Sequence, residues 1–411
     1  MNILLINHYT GSPYYGMEFR PYYLSREWVK LGHKVTIIGA SCSHLRQHNP
    51  DVKQDFQEED IEGIKYVWFK TPEYGGSIAR IKNMMTFVWK LKRYASKIAH
   101  NYQPDLVIAG SCYPLDNYPS HKIARIAGAK YTYEVRDIWP LSPMLIGGYS
   151  KYHPFIWVMQ KAEDYAYKHV DKIISLLWNA EGHMLEHGLA PGKFVCVPNG
   201  YNPEEWTEDK FDLTLPEEHQ KVFNSLKDKI IVGFAGGFAA SGSVITLVQA
   251  AIELKKRTDI HFVLVGKGPE KESYEKIIND NGLNNITILP AVPKTLIPAI
   301  NSHFDIAHLG GLHSELHKYG TSYNKMTDYM LSGKPIVQSV DEPGSVVERV
   351  GCGIRVEAEN AKAVAEAIIK LAELSEQERN EIGLKGKEYV IKNLPWSELA
   401  KDFLNPFEDK E

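Results

Sequence analysis

Residues 323–333 are predicted to form a helix that begins among small polar residues and is followed at once by a strand. Ser322, Asn324 and Lys325 lie at its first turn, where backbone N–H groups lack helical partners and the helix dipole is positive. A diphosphate would be stabilised there. Asp328 lies one turn further along the same face and could accept hydrogen bonds from a ribose. A capped helix with a solvated lysine and aspartate is the alternative interpretation.

A second candidate phosphate site is the glycine-containing loop over residues 11–16, between the first predicted strand and the first predicted helix. Such a turn exposes backbone N–H groups at the positive end of the helix. It is not a Walker loop, because Met17 and Glu18 follow Gly16 where Lys and Ser or Thr would stand. It also lacks the glycine spacing of dinucleotide-binding loops. A tight turn without a ligand explains the loop equally well.

Residues 133–140 (Tyr-Glu-Val-Arg-Asp-Ile-Trp-Pro) carry charged side chains at the carboxyl end of a predicted strand. In open α/β sheets ligands bind at that edge. Asp137 beside Arg136 could orient an acceptor hydroxyl or accept its proton. A structural ion pair that closes a turn is the alternative.

Strand and helix patterns alternate through both halves of the 411-residue chain, which predicts an α/β fold with two doubly wound parallel sheets. A polar stretch with two prolines and several acids separates the halves. We therefore expect a Rossmann-like first domain over residues 1–200, a linker over 201–228, a second Rossmann-like domain over 229–393 and a C-terminal helix within 394–411.

Composition excludes several classes of protein. The net charge of −4 and the pI of about 6.5 give no reason to expect nucleic-acid binding. The four cysteines are far apart and form neither a disulfide framework nor a zinc-binding pattern, which favours a reducing compartment. We recognise no leader peptide, no membrane-spanning segment and no metal-binding histidine pattern, so we expect a cytoplasmic protein without a metal.

Residues 77–100 form a basic segment with six lysines and arginines and no acid. Helical spacing predicts that Ile81, Met84 and Met85 face the core with the other apolar residues. Trp89 then lies on an outer face among several cations. A basic helix with an outward tryptophan is typical of peripheral contact with an anionic membrane. A solvated basic helix fits as well.

Five stretches resemble, in the same order along the chain, sequence blocks of the GT-B glycosyltransferases, specifically the large retaining family 4. Residues 322–337 are similar to the Ser-Pro-Asn-Lys-x-x-x-Tyr-Met-x-x-Gly-Lys-Pro-Ile-Val block of its capsule and O-antigen members. The others are Gly-His-Lys-Val-Thr at 32–36, Arg-Asp-Ile-Trp-Pro at 136–140, Pro-Asn-Gly-Tyr-Asn at 198–202 and Val-Gly-Lys-Gly-Pro at 265–269. The resemblance covers nearly the whole chain.

This resemblance implies two domains that face each other across a cleft, with the last helix crossing back to the first domain. It implies a hexosyl- or N-acetylhexosaminyl-transferase of surface polysaccharide biosynthesis, which moves a sugar from a UDP-linked donor to a glycan or lipid-linked glycan with retention and without a metal. The expected donor-binding residues are Gly16, Arg20, Gly237, Phe238, Ser322, Asn324, Lys325 and Asp328. The expected catalytic residues are Asp137 and Lys325, with Arg136 and Asp137 on the acceptor side.

The chain departs from the family pattern at two places. Gly320 stands eight residues before Asp328, where much of the family has the first of two acids. Residues 236–243 lack the usual phosphate-binding arginine and lysine, so Lys325, Arg20 and helix N-termini remain to meet the charge of the leaving diphosphate. Two alternatives stay open: a nucleotide-sugar epimerase on the same fold, and a catalytically inactive scaffold of a polysaccharide-assembly complex.

Overall fold

The computed structural model describes residues 1–16 and 19–408. The chain divides into two compact units. Unit 1 contains residues 1–199 together with the C-terminal stretch that begins at Trp396, and unit 2 contains residues 200–395. Each unit is built on one sheet with helices packed against it, which confirms the predicted pair of doubly wound α/β domains.

Unit 1 has an eight-stranded sheet in which the neighbouring strands run parallel except for one edge pair. Its strands are β1 (Asn2–Ile6), β2 (Lys34–Ala40), β3 (Gln57–Ile61), β4 (Ile64–Phe69), β5 (Leu106–Ala109), β6 (Lys130–Val135), β7 (Lys172–Ser175) and β8 (Phe194–Cys196). Their order is β3-β4-β2-β1-β5-β6-β7-β8. The sequence-based prediction misses β3 because its residues are almost all polar. It pairs antiparallel with β4 at the sheet edge, where burial is incomplete.

The helices described before the chain enters unit 2 are α1 (Phe19–Lys30), α2 (Ser77–Arg93), α3 (Ala95–Tyr102), α4 (Asn117–Ala127), α5 (Leu141–Leu145), α6 (Pro154–His169) and α7 (Glu181–Glu186). Met17, the predicted start of the first helix, lies outside the described residues. The short 3-10 helix Pro114–Asp116 follows β5 directly and precedes α4.

Helix α2 corrects one expectation. Met84 and Leu91 are buried as predicted. The prediction that Ile81 and Met85 face the core is wrong, because both are exposed. The helix carries more apolar residues than one face can hold, and a spacing of three and four residues is satisfied by two opposite faces.

Unit 2 has a six-stranded sheet that is parallel throughout. Its strands are β9 (Ile230–Gly237), β10 (Ile260–Lys267), β11 (Ile286–Leu289), β12 (Ile306–Gly310), β13 (Ile336–Ser339) and β14 (Gly353–Val356). Their order is β11-β10-β9-β12-β13-β14. The prediction misses β14, a half-buried edge strand of only four residues.

The helices of unit 2 are α8 (Glu217–Ser225), α9 (Val244–Glu253), α10 (Lys271–Asp280), α11 (Ile297–Ser302), α12 (Asn324–Leu331), α13 (Val346–Val350), α14 (Ala361–Ala372) and α15 (Glu376–Asn393). Ser375 and Glu378 form a capping box at the start of α15, with the serine side chain accepting from the Glu378 N–H and the glutamate side chain accepting from the Ser375 N–H. Among the helices described in the two units, we find none whose length and apolar content suit a membrane crossing.

Residues 201–228, predicted as a linker, are an ordered part of unit 2. They contain two short 3-10 helices and α8. Phe223 of α8 is buried and stacks on His303 with ring centroids 4.3 Å apart. The stretch looks like a linker in sequence because its many acids face solvent, whereas a few apolar side chains hold it to the unit.

The last helix, α16 (Trp396–Leu404), packs on α1 within unit 1. The indole N–H of Trp28 donates to the carbonyl of Ala400 over 3.0 Å. The ring of Trp396 stacks on Tyr23 with centroids 5.6 Å apart. These contacts bury the apolar face of α16, which explains its amphipathic sequence. Residues 409–411 lie outside the described part of the chain.

Candidate active site

The carboxyl end of β9 and the start of α12 meet in unit 2. The N–H of Ala235 in β9 donates to the hydroxyl of Tyr329 in α12 over 3.1 Å. Because Tyr329 is fully buried, this bond fixes the helix against the end of the strand. Open α/β sheets bind ligands at this edge.

Lys325 lies in the first turn of α12 and extends over the end of β9. Its side chain covers Gly236 so closely that a Cβ atom there would overlap Lys325 Cε. Its Nζ atom lies 5.5 Å from the centroid of the Phe234 ring. Burial lowers the pKa of Lys325, and the carboxylate of Asp328 opposes part of that effect. The arrangement presents a half-buried cation at a strand end, in a space that requires glycine at position 236.

Asp328 is half-buried beside a charged pair. Burial raises its pKa to about 7, and the negative charge of Glu205 acts in the same direction. The positive charges of Lys294 and Lys325 favour the ionised form and oppose part of this increase. Lys294 Nζ and a Glu205 carboxylate oxygen are 2.7 Å apart. The carboxyl group of Asp328 therefore changes its charge near neutral pH, a property that clusters at functional sites.

The first turn of α12 receives no side-chain cap from its N-cap residue, Tyr323. Ser322 is half-buried and Asn324 is exposed beside it. Backbone N–H groups at such a turn lack helical partners and lie at the positive end of the helix dipole. The turn can therefore bind an anion, and the ammonium group of Lys325 adds positive charge to it.

The loop before α12 is held by Glu342, a residue that the sequence analysis misses. Its buried carboxylate accepts the N–H of Thr321 over 2.8 Å and the hydroxyl of Thr321 over 2.6 Å. The side chain of Gln338 donates to the same carboxylate over 3.1 Å. Glu342 follows β13, far from Thr321 in sequence, and no local motif links the two, so only the fold reveals this contact.

The two residues predicted to bind the donor at the end of β9 differ in exposure. Gly237 is exposed, so its backbone is accessible. The side chain of Phe238 is fully buried in the core of unit 2, and its N–H donates to the carbonyl of Lys267 over 2.9 Å. This corrects the predicted role of Phe238, which shapes the strand end and offers no group to a ligand. A Cβ atom at Gly268 would overlap the Phe238 backbone, which explains the second glycine of the Val-Gly-Lys-Gly-Pro stretch.

His308 lies in β12 and is fully buried. Burial lowers its pKa to about 3, so the imidazole is neutral. Its Nε2 atom lies 3.2 Å from the hydroxyl oxygen of Ser339. We therefore assign His308 to the interior of unit 2 and not to proton transfer.

In unit 1, Glu134 organises the predicted acceptor side at the end of β6. Its buried carboxylate accepts from Arg20 Nε over 2.9 Å and from Arg136 Nε over 3.2 Å. Burial alone would raise the pKa of Glu134, but the two guanidinium groups outweigh burial and lower it. Glu134 is thus an ionised bridge between two arginines.

All three guanidinium nitrogens of Arg20 are hydrogen-bonded within unit 1, and its Nε atom forms the bond to Glu134. Its remaining guanidinium nitrogens donate to the carbonyl oxygens of Val197 and Pro198 over 2.8 and 2.6 Å. A buried guanidinium that is saturated by protein oxygens cannot bind a diphosphate without giving up these bonds. The structure therefore corrects the predicted role of Arg20 in donor binding and gives it a structural one, which ties α1 to residues 197–198.

Two aspartates lie near the carboxyl edge of the same sheet. Asp137 is exposed, directly after Arg136 and just beyond the end of β6. Asp116, which the sequence analysis misses, is buried and accepts the N–H of Ser111 over 3.3 Å. Burial raises the pKa of Asp116 to about 7. Only Asp137 has the exposure that contact with an acceptor requires.

The loop over residues 11–16 is closed on itself. The N–H of Gly16 donates to the carbonyl of Ser12 over 2.8 Å, and Gly16 has a φ of +71°. The side chain of Gln47 fills the position of a Cβ atom at Gly16. The N–H of Gly16 is thus used within the loop, which corrects its predicted role in phosphate binding. Met17 and Glu18, which follow it, are outside the described residues.

One group of three potential metal ligands occurs in the described part of the chain: Glu163, Asp164 and His187. The amide nitrogen of Gln160 lies among them. It is 2.8 Å from each carboxylate and 2.9 Å from His187 Nδ1. His187 Nδ1 also lies 2.9 Å from a carboxylate oxygen of Asp164, so the three groups are hydrogen-bonded to Gln160 and to one another, and we assign no metal to them.

The structure gathers most of the predicted donor residues at one end of the sheet of unit 2: Gly237, Ser322, Asn324, Lys325 and Asp328. The residues predicted in unit 1 fall into three places. Arg136 and Asp137 follow β6. Arg20 is buried and shares the carboxylate of Glu134 with Arg136, and Gly16 closes a separate loop.

Two family models match the chain, one for each half. The model for a glycosyl transferase 4-like domain matches residues 15–200. The model for glycosyl transferases group 1 matches residues 229–373. A full-length similarity is found to WcaI of Escherichia coli K12, named as a colanic acid biosynthesis glycosyl transferase, with 21% identity over 399 residues, 92% of this chain and 93% of that protein.

Solved structures share the fold over nearly the whole chain. Sucrose-phosphate synthase from Thermosynechococcus elongatus superposes with a TM-score of 0.72 at 15% identity and covers 98% of both chains. HepE from Anabaena, in complex with UDP and glucose, superposes with a TM-score of 0.65 at 16% identity and covers 98% of both chains. At these identities the likeness establishes the fold alone.

Proposed function

The chain belongs to the GT-B glycosyltransferases, and from that premise we propose that it transfers a sugar from a UDP-sugar to a glycan or lipid-linked glycan with retention of the anomeric configuration. One observation carries the donor half of the proposal: Lys325, the open start of α12 and the end of β9 lie together in unit 2. Similarity to WcaI over 92% of this chain supports a role in surface polysaccharide biosynthesis. The complex of HepE with UDP and glucose supports UDP as the nucleotide.

In this proposal Lys325 and the N–H groups at the start of α12 bind the diphosphate. Negative charge accumulates on the diphosphate as the bond to the sugar breaks, and fixed donors stabilise it most when they are already in place. The half-buried position of Lys325 strengthens this effect, because surrounding water screens the charge less. Asp328 accepts hydrogen bonds from the ribose hydroxyls, and its ionised form is the stronger acceptor.

On the acceptor side, Asp137 orients the attacking hydroxyl and takes up its proton. Its exposure at the carboxyl edge of the sheet of unit 1 suits contact with a large acceptor. Arg136 is held by Glu134, so the backbone that carries Asp137 has a fixed anchor. Asp137 is therefore the group of this unit to which we assign a catalytic role.

We propose that the reaction needs no metal. Lys325 and the helix N-terminus supply positive charge at one place. In other enzymes a metal ion stabilises the negative charge of a leaving diphosphate in the same way. Turnover in the presence of a chelator should equal turnover without it. A loss of activity that is restored by a divalent cation would overturn this part of the proposal.

We propose a cytoplasmic location at the inner face of the cell membrane. The four cysteines form no disulfide in the structure, which suits a reducing compartment. Residues 77–100, with six cations and no acid, are the proposed contact with anionic lipid. A lipid-linked acceptor would be reached at that surface.

The experiment that tests the function incubates the protein with UDP-sugars, with and without a lipid-linked glycan acceptor. Release of UDP that requires the acceptor, together with a glycosylated product, is the expected result. An altered nucleotide sugar without acceptor would instead identify an epimerase. No turnover with any donor, despite UDP binding, would identify an inactive scaffold. The Lys325→Ala variant serves as the low-activity control.

A further inference from the structure

Helix α2 has a second apolar face that the fold leaves uncovered. Ile78, Ile81, Met85 and Trp89 follow one another at spacings of three and four residues, so they form one stripe along the helix. Ile78 is 86% exposed and Trp89 is 54% exposed. The inward face of α2, around Phe87, is fully buried and lies on the opposite side. The outward stripe therefore does not belong to the core of unit 1.

Cations surround this stripe. Lys82, Lys92 and Arg93 are exposed, and the guanidinium of Arg93 lies 5.2 Å from the Trp89 ring centroid. Lys90 differs, because it forms a 2.6 Å ion pair with Asp55. An apolar stripe that contains tryptophan and is edged by lysine and arginine has the composition of a helix that lies in a membrane interface.

A second uncovered surface lies in residues 145–158, which join α5 to the first part of α6. Ile146 is 75% exposed, Tyr152 is 82% exposed and Trp157 is 61% exposed. Lys151 Nζ lies 5.1 Å from the Tyr152 ring centroid, and no acid occurs between residues 138 and 162. Aromatic rings with a neighbouring ammonium group suit the level of lipid headgroups.

The two surfaces belong to helices of one unit that contribute to the same hydrophobic cluster. Met84 of α2 and Met159 of α6 are buried in the same hydrophobic cluster, and Val88 and Phe155 pack against it. Both helices also contact the short 3-10 helix Pro114–Asp116. Their inward sides thus share one core, and their outward sides carry the exposed apolar residues.

We propose that α2 and residues 145–158 form one two-part docking surface for an anionic lipid bilayer. Charge complementarity selects this occupant, because residues 77–100 and 138–162 carry seven lysines and arginines besides the paired Lys90, and no acid, in a chain whose net charge is −4. The inference deepens the proposed function and rests on it for the membrane-bound acceptor. The proposed function contains only an electrostatic contact through residues 77–100. The inference adds that residues 145–158 are a second anchor and that the apolar stripe of α2 inserts into the bilayer.

Sedimentation with vesicles tests the docking surface. The wild-type protein should bind vesicles that contain phosphatidylglycerol much more strongly than vesicles of phosphatidylcholine alone. The variants Ile81→Ser/Met85→Ser/Trp89→Ser and Ile146→Ser/Tyr152→Ser/Trp157→Ser should each weaken binding by about tenfold or more, and their combination should abolish it. Leu384→Ser/Ile391→Ser removes two exposed apolar residues of α15 and is the matched control, with unchanged binding.

Salt tests the electrostatic part of the contact. Both serine variants keep the α2 cations, so their residual binding should fall steeply with salt, whereas Lys82→Gln/Lys92→Gln/Arg93→Gln, which keeps both sets of apolar residues, should bind weakly and with little salt dependence. Equal binding of the wild type and the combined variant, or no binding at low salt, overturns the proposal. So does a wild-type dimer that the same substitutions convert to a monomer without any lipid binding, because the surface then binds a second copy.

The function and the docking surface fail separately. All variants are expected to retain the wild-type affinity for UDP, since none of the changed residues belongs to the donor site. Vesicle binding without sugar transfer would leave the docking surface intact and refute the transferase. Transfer to a lipid-linked acceptor without vesicle binding would support the transferase and refute the docking surface.

Discussion

The side chain of Lys325 occupies the space that a side chain at Gly236 would need, so the start of α12 and the end of β9 fit together only because position 236 is glycine. A Cβ atom at Gly236 would overlap Lys325 Cε and would lie 3.3 Å from Lys325 Nζ. This relationship places the cation at the strand end and links the identity of one residue to the conformation of another.

Gly236→Ala should displace Lys325 from the strand end. We expect a loss of about 1–3 kcal/mol in the free energy of unfolding and at least about a tenfold fall in turnover. A double-mutant cycle with Lys325→Ala checks the cause, because the alanine at 236 should cost less stability once the lysine is gone, and the cost that remains comes from the φ of +156° at this position. Additive losses of stability would show that the two residues do not interact.

Lys325→Ala should impair catalysis more than stability. A hydrogen bond to a charged group is typically worth about 1.5–3 kcal/mol, which corresponds to roughly a 10- to 150-fold loss in kcat/KM. The melting temperature should change little, because burial of the ammonium group already opposes its charged form. Lys256→Ala, a change at an exposed lysine of unit 2, is the control. Equal changes for the two variants would remove Lys325 from the diphosphate site.

Asp328→Asn should flatten part of the pH dependence of stability. Since the pKa of Asp328 is raised to about 7, the folded protein holds a proton that the unfolded chain has lost between the ordinary carboxyl pKa and about 7. The free energy of unfolding therefore falls as pH rises through this range. Denaturant unfolding between about pH 5 and pH 8 should show a shallower fall for the variant, and Asp402→Asn should keep the wild-type slope. Identical slopes for Asp328→Asn and the wild type would contradict the raised pKa.

Asp137→Asn tests the acceptor side, because it keeps the shape of the side chain and removes its charge. Loss of a general base typically costs at least about 10²-fold in rate, so transfer should fall by that order while the Kd for UDP is unchanged. Isothermal titration with UDP and a transfer assay measure the two effects on one preparation. A fully active variant would leave Asp137 with a structural role.

Arg20→Ala should destabilise unit 1 without weakening UDP binding. Removal of one partner from a buried ion pair typically costs about 3–5 kcal/mol, and Arg136 still pairs with Glu134, so the lower end is expected. Glu134→Gln in the Arg20→Ala background should recover part of the melting temperature, because it removes the partly unpaired charge. A normal melting temperature with a weakened Kd for UDP would instead favour the phosphate contact predicted from the sequence.

Much of the architecture follows from the sequence. Apolar runs such as residues 106–109 and 230–235 predict buried parallel strands, and helical spacing predicts α14 and α15. Strands and helices that carry many exposed polar residues are missed when the fold is predicted from apolar patterns. β3 is too polar to be recognised, and α8 lies in a stretch that resembles a linker because its acids face solvent.

In the candidate site, too, local relations follow from the sequence, whereas long-range contacts do not. The sequence alone determines that Ser322, Asn324 and Lys325 open a helix with Asp328 one turn on, because these relations are local and follow from helical geometry. The tertiary structure alone decides which charged groups are already occupied. Arg20 is bound by Glu134 and by two backbone carbonyls more than a hundred residues away.

The same holds for the outer surface of α2. Its spacing fits two opposite apolar faces equally well, and only packing against the rest of unit 1 selects the one that is buried. Glu342 reaches Thr321 through a contact that no local pattern encodes. Periodicity along a chain determines which side chains share a face, whereas burial and saturation of hydrogen bonds depend on segments that are distant in sequence and meet only in the fold.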